Sequence, residues 1–151
     1  MLPAGLSHFR ESDIIRRVDA FITREAAADL EVLNRLRPAP PAWGFLIGHK
    51  RGPRVFVERL FPAGAGSVLP SPGELDEIDR GFGRKVVGLF AVRPSAAFRK
   101  SVAGPYFYGR LVLEVRPARK GVALRSFVVE FDRKFVLAPV ALRHGRKGET
   151  P

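Results

Sequence analysis

Three histidines, His8, His49 and His144, are scattered along the chain. No two stand at the His-x-x-x-His spacing that puts two metal ligands on one helix face, so each is expected to be an exposed histidine. Cysteine is absent, which removes disulfides, thiolate zinc ligands and cysteine nucleophiles. Carboxylates gather at Glu74, Asp76, Glu77 and Asp79. Two of them could share acid–base work, but the same residues suit the solvent face and dipole-positive end of a short helix, which is the preferred reading. Ser95 and Ser101 have no histidine paired with them in sequence. The Gly/Ala run from Pro62 to Leu69 lacks the Lys and Ser/Thr spacing of a phosphate-binding loop and reads as a plain connection. Arg93 stands just before Pro94, with Arg99 and Lys100 close behind. A contact to an anion is the functional reading. An arginine bonded to a nearby acidic side chain or carbonyl is the plainer and preferred one.

The chain has 151 residues, which suits one domain with one core. A hydrophobic content of 46% fits a globular protein. Basic residues number 26 against 15 acidic, a formal charge of +11, which fits nucleic acid, acidic lipid or acidic protein as a partner. They are spread along the whole chain without a basic block or a nucleic-acid motif, so solubility is the preferred explanation. Apolar runs are far shorter than a membrane span, and Met1 to Arg10 lacks the pattern of a signal peptide. A cytoplasmic protein without membrane contact is expected.

These residues need elements to place them. Ser12 to Arg17 reads as a helical turn, and the alternation around Val18, Ala20 and Ile22 as a short strand. Thr23 suits an N-cap for a helix over Arg24 to Leu36, with Ala26, Leu30 and Leu33 on one stripe and Pro38, Pro40 and Pro41 stopping it. Trp43 to Gly48 and Arg54 to Phe61 read as a hairpin around a Lys50-Arg51-Gly52-Pro53 turn. In that hairpin Val55 and Val57 share one face, and Phe56, Glu58 and Leu60 the other. Ser71-Pro72-Gly73-Glu74 is a helix start with a capping box, and the helix is expected to end near Arg80. Val86 to Val92 is apolar almost without alternation, the pattern of a strand covered on both faces. Pro94 to Gly109 reads as a loop, Leu111 to Val115 and Val122 to Phe131 as strands, and Phe135 to Leu142 as a last strand broken by Pro139.

In this order, Gly44-Phe45-Leu46-Ile47-Gly48, the strand ending in Arg93-Pro94 and Ser101-Val102-Ala103-Gly104 resemble the core of the JAMM/MPN (JAB-domain) metalloprotease family. There the central strand ends in His-x-His-Pro, a loop carries Ser-x-x-Asp, and a Glu precedes a Gly-x-Leu-x-Gly strand by three residues. The two His and the Asp hold zinc, and the Glu activates its water. Here the ligand positions hold Ala91, Arg93 and Gly104, the Glu position holds Pro41, and Ser101 keeps the family's Ser without a metal to assist. Ala91 and Gly104 offer no donor, Arg93 repels a metal cation, and Pro41 is no base. The resemblance spans roughly Val18 to Phe131. It departs after the Ser-x-x-Asp position, where the family usually has a helix, since Gly104-Pro105 and Gly109 leave little room for one.

The resemblance implies an α/β (α+β) single domain: a mixed β-sheet with a long N-terminal helix and a short second helix, JAB/MPN-like and cytidine-deaminase-like in architecture. Residues 1–17 would be an N-terminal extension, 18–143 the domain and 144–151 a flexible basic tail. No metal, cofactor or catalytic residue is expected. Active relatives hold an extended peptide tail in the groove, so Arg93, Arg99 and Lys100 are candidates for an anion or peptide contact. The expected function is a non-catalytic interaction or scaffold module with a protein partner, homo-oligomerisation remaining open. One alternative is a nucleic-acid-binding domain with Arg110, Arg116, Arg119, Lys120 and Arg125 lining one face beside Tyr106 and Tyr108. Another is a hydrolase with a relocated active site.

Overall fold

The structure, a computed structural model, describes residues 18–36, 42–65 and 69–145. Ser12 to Arg17, the prolines 38 to 41 and the residues beyond 145 lie outside them. The strands are β1 (Asp19–Thr23), β2 (Ala42–Arg51), β3 (Arg54–Ala65), β4 (Val86–Val92), β5 (Leu111–Pro117), β6 (Val122–Asp132), β7 (Lys134–Pro139) and β8 (Ala141–Gly145). The helices are α1 (Arg24–Leu36), α2 (Pro72–Gly81) and α3 (Ala96–Val102), with a 3-10 turn over Pro105–Phe107. The strands form one mixed sheet in the order β7-β6-β5-β4-β2-β3-β1-β8. β1 runs parallel to β3 and β8, and β4 parallel to β5; the other pairs are antiparallel.

Alternating side chains of the central strands divide between two cores. Phe90 and Val92 of β4 and Leu111, Leu113 and Val115 of β5 join Ala26 and Leu30 of α1. Leu89, Ala91 and Val112 point the other way, to Leu75 of α2 and Phe98 and Val102 of α3. All seven residues of β4 are buried, as a run without polar alternation requires. β4 can lie this close to β5 because position 88 is glycine: a Cβ there would run into the Leu111 carbonyl.

α1 has the boundaries its apolar stripe predicts. The Thr23 hydroxyl accepts from the Ala26 N–H and donates to the Glu58 carbonyl, both at 3.2 Å, so one side chain caps the helix and ties it to β3. α2 begins with the expected capping box: the Glu74 N–H donates to Ser71 Oγ (3.3 Å) and the Ser71 N–H to Glu74 Oε1 (3.2 Å). It ends one residue later than expected, at Gly81.

Several expectations change. The hairpin turn is Gly52-Pro53 alone, since Lys50 and Arg51 pair within β2. Gly48 faces Val57 and Ile47 faces Arg59, so Glu58 is an extra residue in β3. That bulge reverses the alternation, and Leu60 packs on the side of Val55 and Val57. β3 also runs on to Ala65, where a connection was expected. Most of Pro94 to Gly109 is ordered into α3 and the 3-10 turn. Ser95 Oγ accepts from the Phe98 N–H at 3.1 Å, and Phe98 and Val102, one helical turn apart, are buried. Phe135 to Leu142 is two strands on opposite edges of the sheet.

Only Val140 separates β7 from β8, so the sheet curls until its two edges meet at that residue. The Val140 N–H donates to the Ser126 carbonyl (3.0 Å), and the Ser126 hydroxyl donates to the Val140 carbonyl (2.7 Å). Val122, Leu124, Val140 and Leu142 line this seam against the core that holds α1. α1 thus fills the concave side of a nearly closed sheet, while α2 and α3 cover its convex side. β8 carries His144 and Gly145 in register with Ile22 and Thr23, two residues past the expected domain boundary at 143.

Candidate functional site

β4 delivers its last residues to the end of the sheet where β5 also ends. Arg93 follows with φ 50, a left-handed conformation that is unfavourable for a bulky side chain. Its N–H donates to the Val115 carbonyl at 2.7 Å, which fixes Arg93 against β5 one residue beyond Glu114. Its Nε is buried with no hydrogen-bond partner among the described residues.

Ala91 is paired with Glu114 across the parallel ladder, and both are buried, at 2% and 1% exposure. α3 packs over Ala91 through Phe98 and Val102. The same helix brings Arg99 onto Glu114. Arg99 Nε donates to Glu114 Oε2 at 2.6 Å and Nη2 to Oε1, a two-point grip on the carboxylate. These bonds raise the Arg99 pKa further above its already high ordinary value, against the opposing effect of burial. Arg116 Nε lies 3.5 Å from Glu114 Oε1 as an ion pair and has no hydrogen-bond partner among the described residues. Arg125 stands opposite Glu114 on β6. Cations therefore outnumber the carboxylate at this end of the sheet.

The structure thus separates the expected contact residues. Arg99 is committed to Glu114, Lys100 is exposed on α3, and Arg93 has no acidic partner among the described residues. Among the described residues, pairing with an acidic side chain, one half of the plainer expectation for Arg93, belongs to Arg99 instead, and Arg93 meets a carbonyl through its N–H. Glu114 itself went unrecognised in the sequence. Its signal is a lone carboxylate inside the apolar run Leu111-Val112-Leu113-Glu114-Val115, since a charge is seldom fully buried without a partner.

Zinc does not fit these residues. Ala91 is packed in an apolar cluster and Gly104 has no side chain. Ser101 Oγ donates to the Ala97 carbonyl (3.0 Å) within α3, so Ser101 is on a helix and not in a loop. Pro41 lies outside the described residues. Among the described residues no group of three or more His, Cys, Asp and Glu could hold a metal ion.

Other sequence candidates also move. His49 is half-buried, stacked on Phe56 at 4.7 Å with its Nδ1 2.9 Å from Glu58 Oε1, so it is not a free surface imidazole. Asp79 is buried: its Oδ1 accepts from the Val86 N–H at 3.1 Å and its Oδ2 faces Arg84. It therefore anchors the start of β4 instead of decorating a helix surface. The supposed nucleic-acid face splits, because Arg110 precedes β5 and Arg116 ends it. A cavity of about 710 Å³ lies between α1 and the starts of β6 and β8, and of the supposed nucleic-acid face it takes Lys120.

Neither protein-family models nor curated proteins match the chain. Among solved structures, the solution structure of protein DSY2949 from Desulfitobacterium hafniense is similar, with a TM-score of 0.62 at 17% identity, covering 85% of this chain and 96% of that one. At this identity the likeness concerns the fold alone. Among the described residues no helix is long and apolar enough to cross a membrane.

Proposed function

We propose that the chain is a non-catalytic JAB/MPN-like domain that docks an acidic segment of a partner protein at the shared end of β4 and β5. The family reading is supported by the order of elements from β1 to β6; α3 ends at Val102, before Gly104, so the helix that the family has after the Ser-x-x-Asp position is still missing, with a 3-10 turn in its place. The observation that carries the function is the arginine group around Glu114. Glu114 satisfies Arg99, while Arg93 and Arg116 keep donors that no described residue fills. A guanidinium binds a carboxylate at two points, and among the described residues neither Arg93 nor Arg116 is gripped in this way, so a partner carboxylate has two cations to meet. A nucleic-acid surface has less support, since Arg110 stands with Tyr106 and Tyr108 at the start of β5 while Arg116, Arg119, Lys120 and Arg125 lie toward its other end.

The test is fluorescence anisotropy with a labelled Asp/Glu-rich peptide, its Asn/Gln counterpart and a single-stranded oligonucleotide. The acidic peptide should bind and the neutral one should not. Arg93→Gly removes the cation while accepting the left-handed backbone. It should weaken binding roughly tenfold, the size of one lost charge-assisted hydrogen bond. Unchanged affinity in Arg93→Gly and Arg116→Ala, or tighter binding of the oligonucleotide, would defeat the reading. So would about one tightly held zinc per purified chain, of the kind structural sites retain.

A further inference from the structure

A second basic site lies at the opposite pole, where β4 and β5 begin. The cleft has a volume of about 500 Å³ and is lined by His49, Lys50, Arg84, Lys85, Tyr108 and Arg110 together with Gly48, Val86 and Val87. We propose that this cleft binds the phosphate group of a phosphomonoester.

The pocket is built from the sheet outward. Arg110 Nη1 donates to the Val86 carbonyl at 2.8 Å, and its Nη2 lies 3.9 Å from Asp79 Oδ2. Arg84 has φ 63, a second non-glycine residue in the left-handed region, and is held there by Asp76 (2.8 Å) and Asp79 (3.4 Å). The two carboxylates therefore position the two guanidinium groups and offset their charge. Lys50 Nζ donates to a neutral acceptor, the Gly109 carbonyl, at 3.2 Å. Lys85 is exposed at the rim. Asp76, shared with Arg80, and Asp79 hold the two guanidinium groups, and Glu58 holds His49, whereas Lys50 and Lys85 have no carboxylate partner among the described residues and are the cations left to meet a phosphate. Burial and the neighbouring Arg110 lower the Lys50 pKa, so its ammonium gains from an anion that compensates it. Glu58 holds His49 through Nδ1, and the buried Nε2 has no partner among the described residues. Tyr108 is 59% exposed, and its ring stands edge-on to Phe135. It offers a flat face and a hydroxyl to the organic part of the ligand. This site shares no residue with the arginine group around Glu114, so the two proposals stand or fall separately.

The probes are inorganic phosphate, glycerol 3-phosphate, and phosphatidylcholine vesicles with and without phosphatidic acid. Phosphate should shift the amide resonances of Gly48, Lys85 and Gly109 saturably, beyond the effect of chloride at equal ionic strength. Lys50→Gln should weaken this about tenfold, the scale of one charge-assisted hydrogen bond. Lys85→Gln, at an exposed position that folding does not depend on, should weaken it several-fold and keeps the test decisive if Lys50→Gln fails to fold. Tight binding of glycerol 3-phosphate assigns the site to free phosphomonoesters, whereas binding only to phosphatidic acid vesicles assigns it to a lipid headgroup. Shifts matched by chloride, or affinities unchanged in the folded variants, would overturn the proposal.

Discussion

Glu114 lies between Leu113 and Val115, both at 0% exposure, and is itself 1% exposed. A carboxylate in such a place is stable only because Arg99 meets both of its oxygens. Removing one member of a buried pair strands the other. Glu114→Ala would leave Arg99 and Arg116 without their anion, and the loss should be roughly 2–4 kcal/mol, toward the lower part of the range because Arg99 reaches solvent. Urea unfolding measures it. The double variant Glu114→Leu with Arg99→Met should recover part of the loss, because an apolar pair replaces a desolvated ionic one. A midpoint unchanged in Glu114→Ala would mean that the pair contributes nothing to stability.

α2 ties its own two ends to carboxylates. At the start, the Ser71 N–H and hydroxyl lower the Glu74 pKa. Within the helix, hydrogen bonds from Arg84 and Arg80 lower that of Asp76. Both folded values lie below the unfolded ones, so the associated stability is present above the ordinary values of 4.5 and 3.8 and is lost as pH falls through the lower folded values. Acid should therefore reduce the melting temperature in that window, and Asp76→Asn should flatten the fall. An Asp76→Asn profile that still parallels the parent would rule out this carboxylate as a source. α3 is a different kind of element. Seven residues are too few to hold a helix alone, so its Ser95 cap and the burial of Phe98 and Val102 decide it.

At the scale of the molecule, the closure of the sheet couples the chain's last described strand to its first. β8 pairs with β1 along five residues, and β1 in turn with β3. Ser126 is the clasp, buried at 7% exposure and bonded to Val140. Ser126→Ala should cost about 1 kcal/mol, the net value of one hydrogen bond. Ending the chain after Val140 should cost far more, since it strips β1 of a partner and Leu142 from the core around α1. Thermal unfolding and amide exchange in β1 measure both. Equal stability of the truncated and full chains would show that the curled sheet is held elsewhere.

Patterns local in sequence were legible without a structure. The stripe of α1 with its Thr23 cap, the capping box of α2 and the doubly covered β4 each arise from neighbouring residues acting through one period or one side-chain bond. That Ala91, Arg93 and Gly104 offer no metal donor was equally plain, because residue type alone settles what can donate. What the sequence misplaced depends on partners far along the chain. The bulge at Glu58 exists only against β2, and it alone moves Leu60 to the other face. The division of Phe135 to Leu142 into two strands on opposite edges requires a curled sheet, which no local pattern encodes. The assignment of Arg99, not Arg93, to Glu114 follows from α3 packing over β4 and β5, because a charge finds its partner across space and only the assembled fold sets that distance.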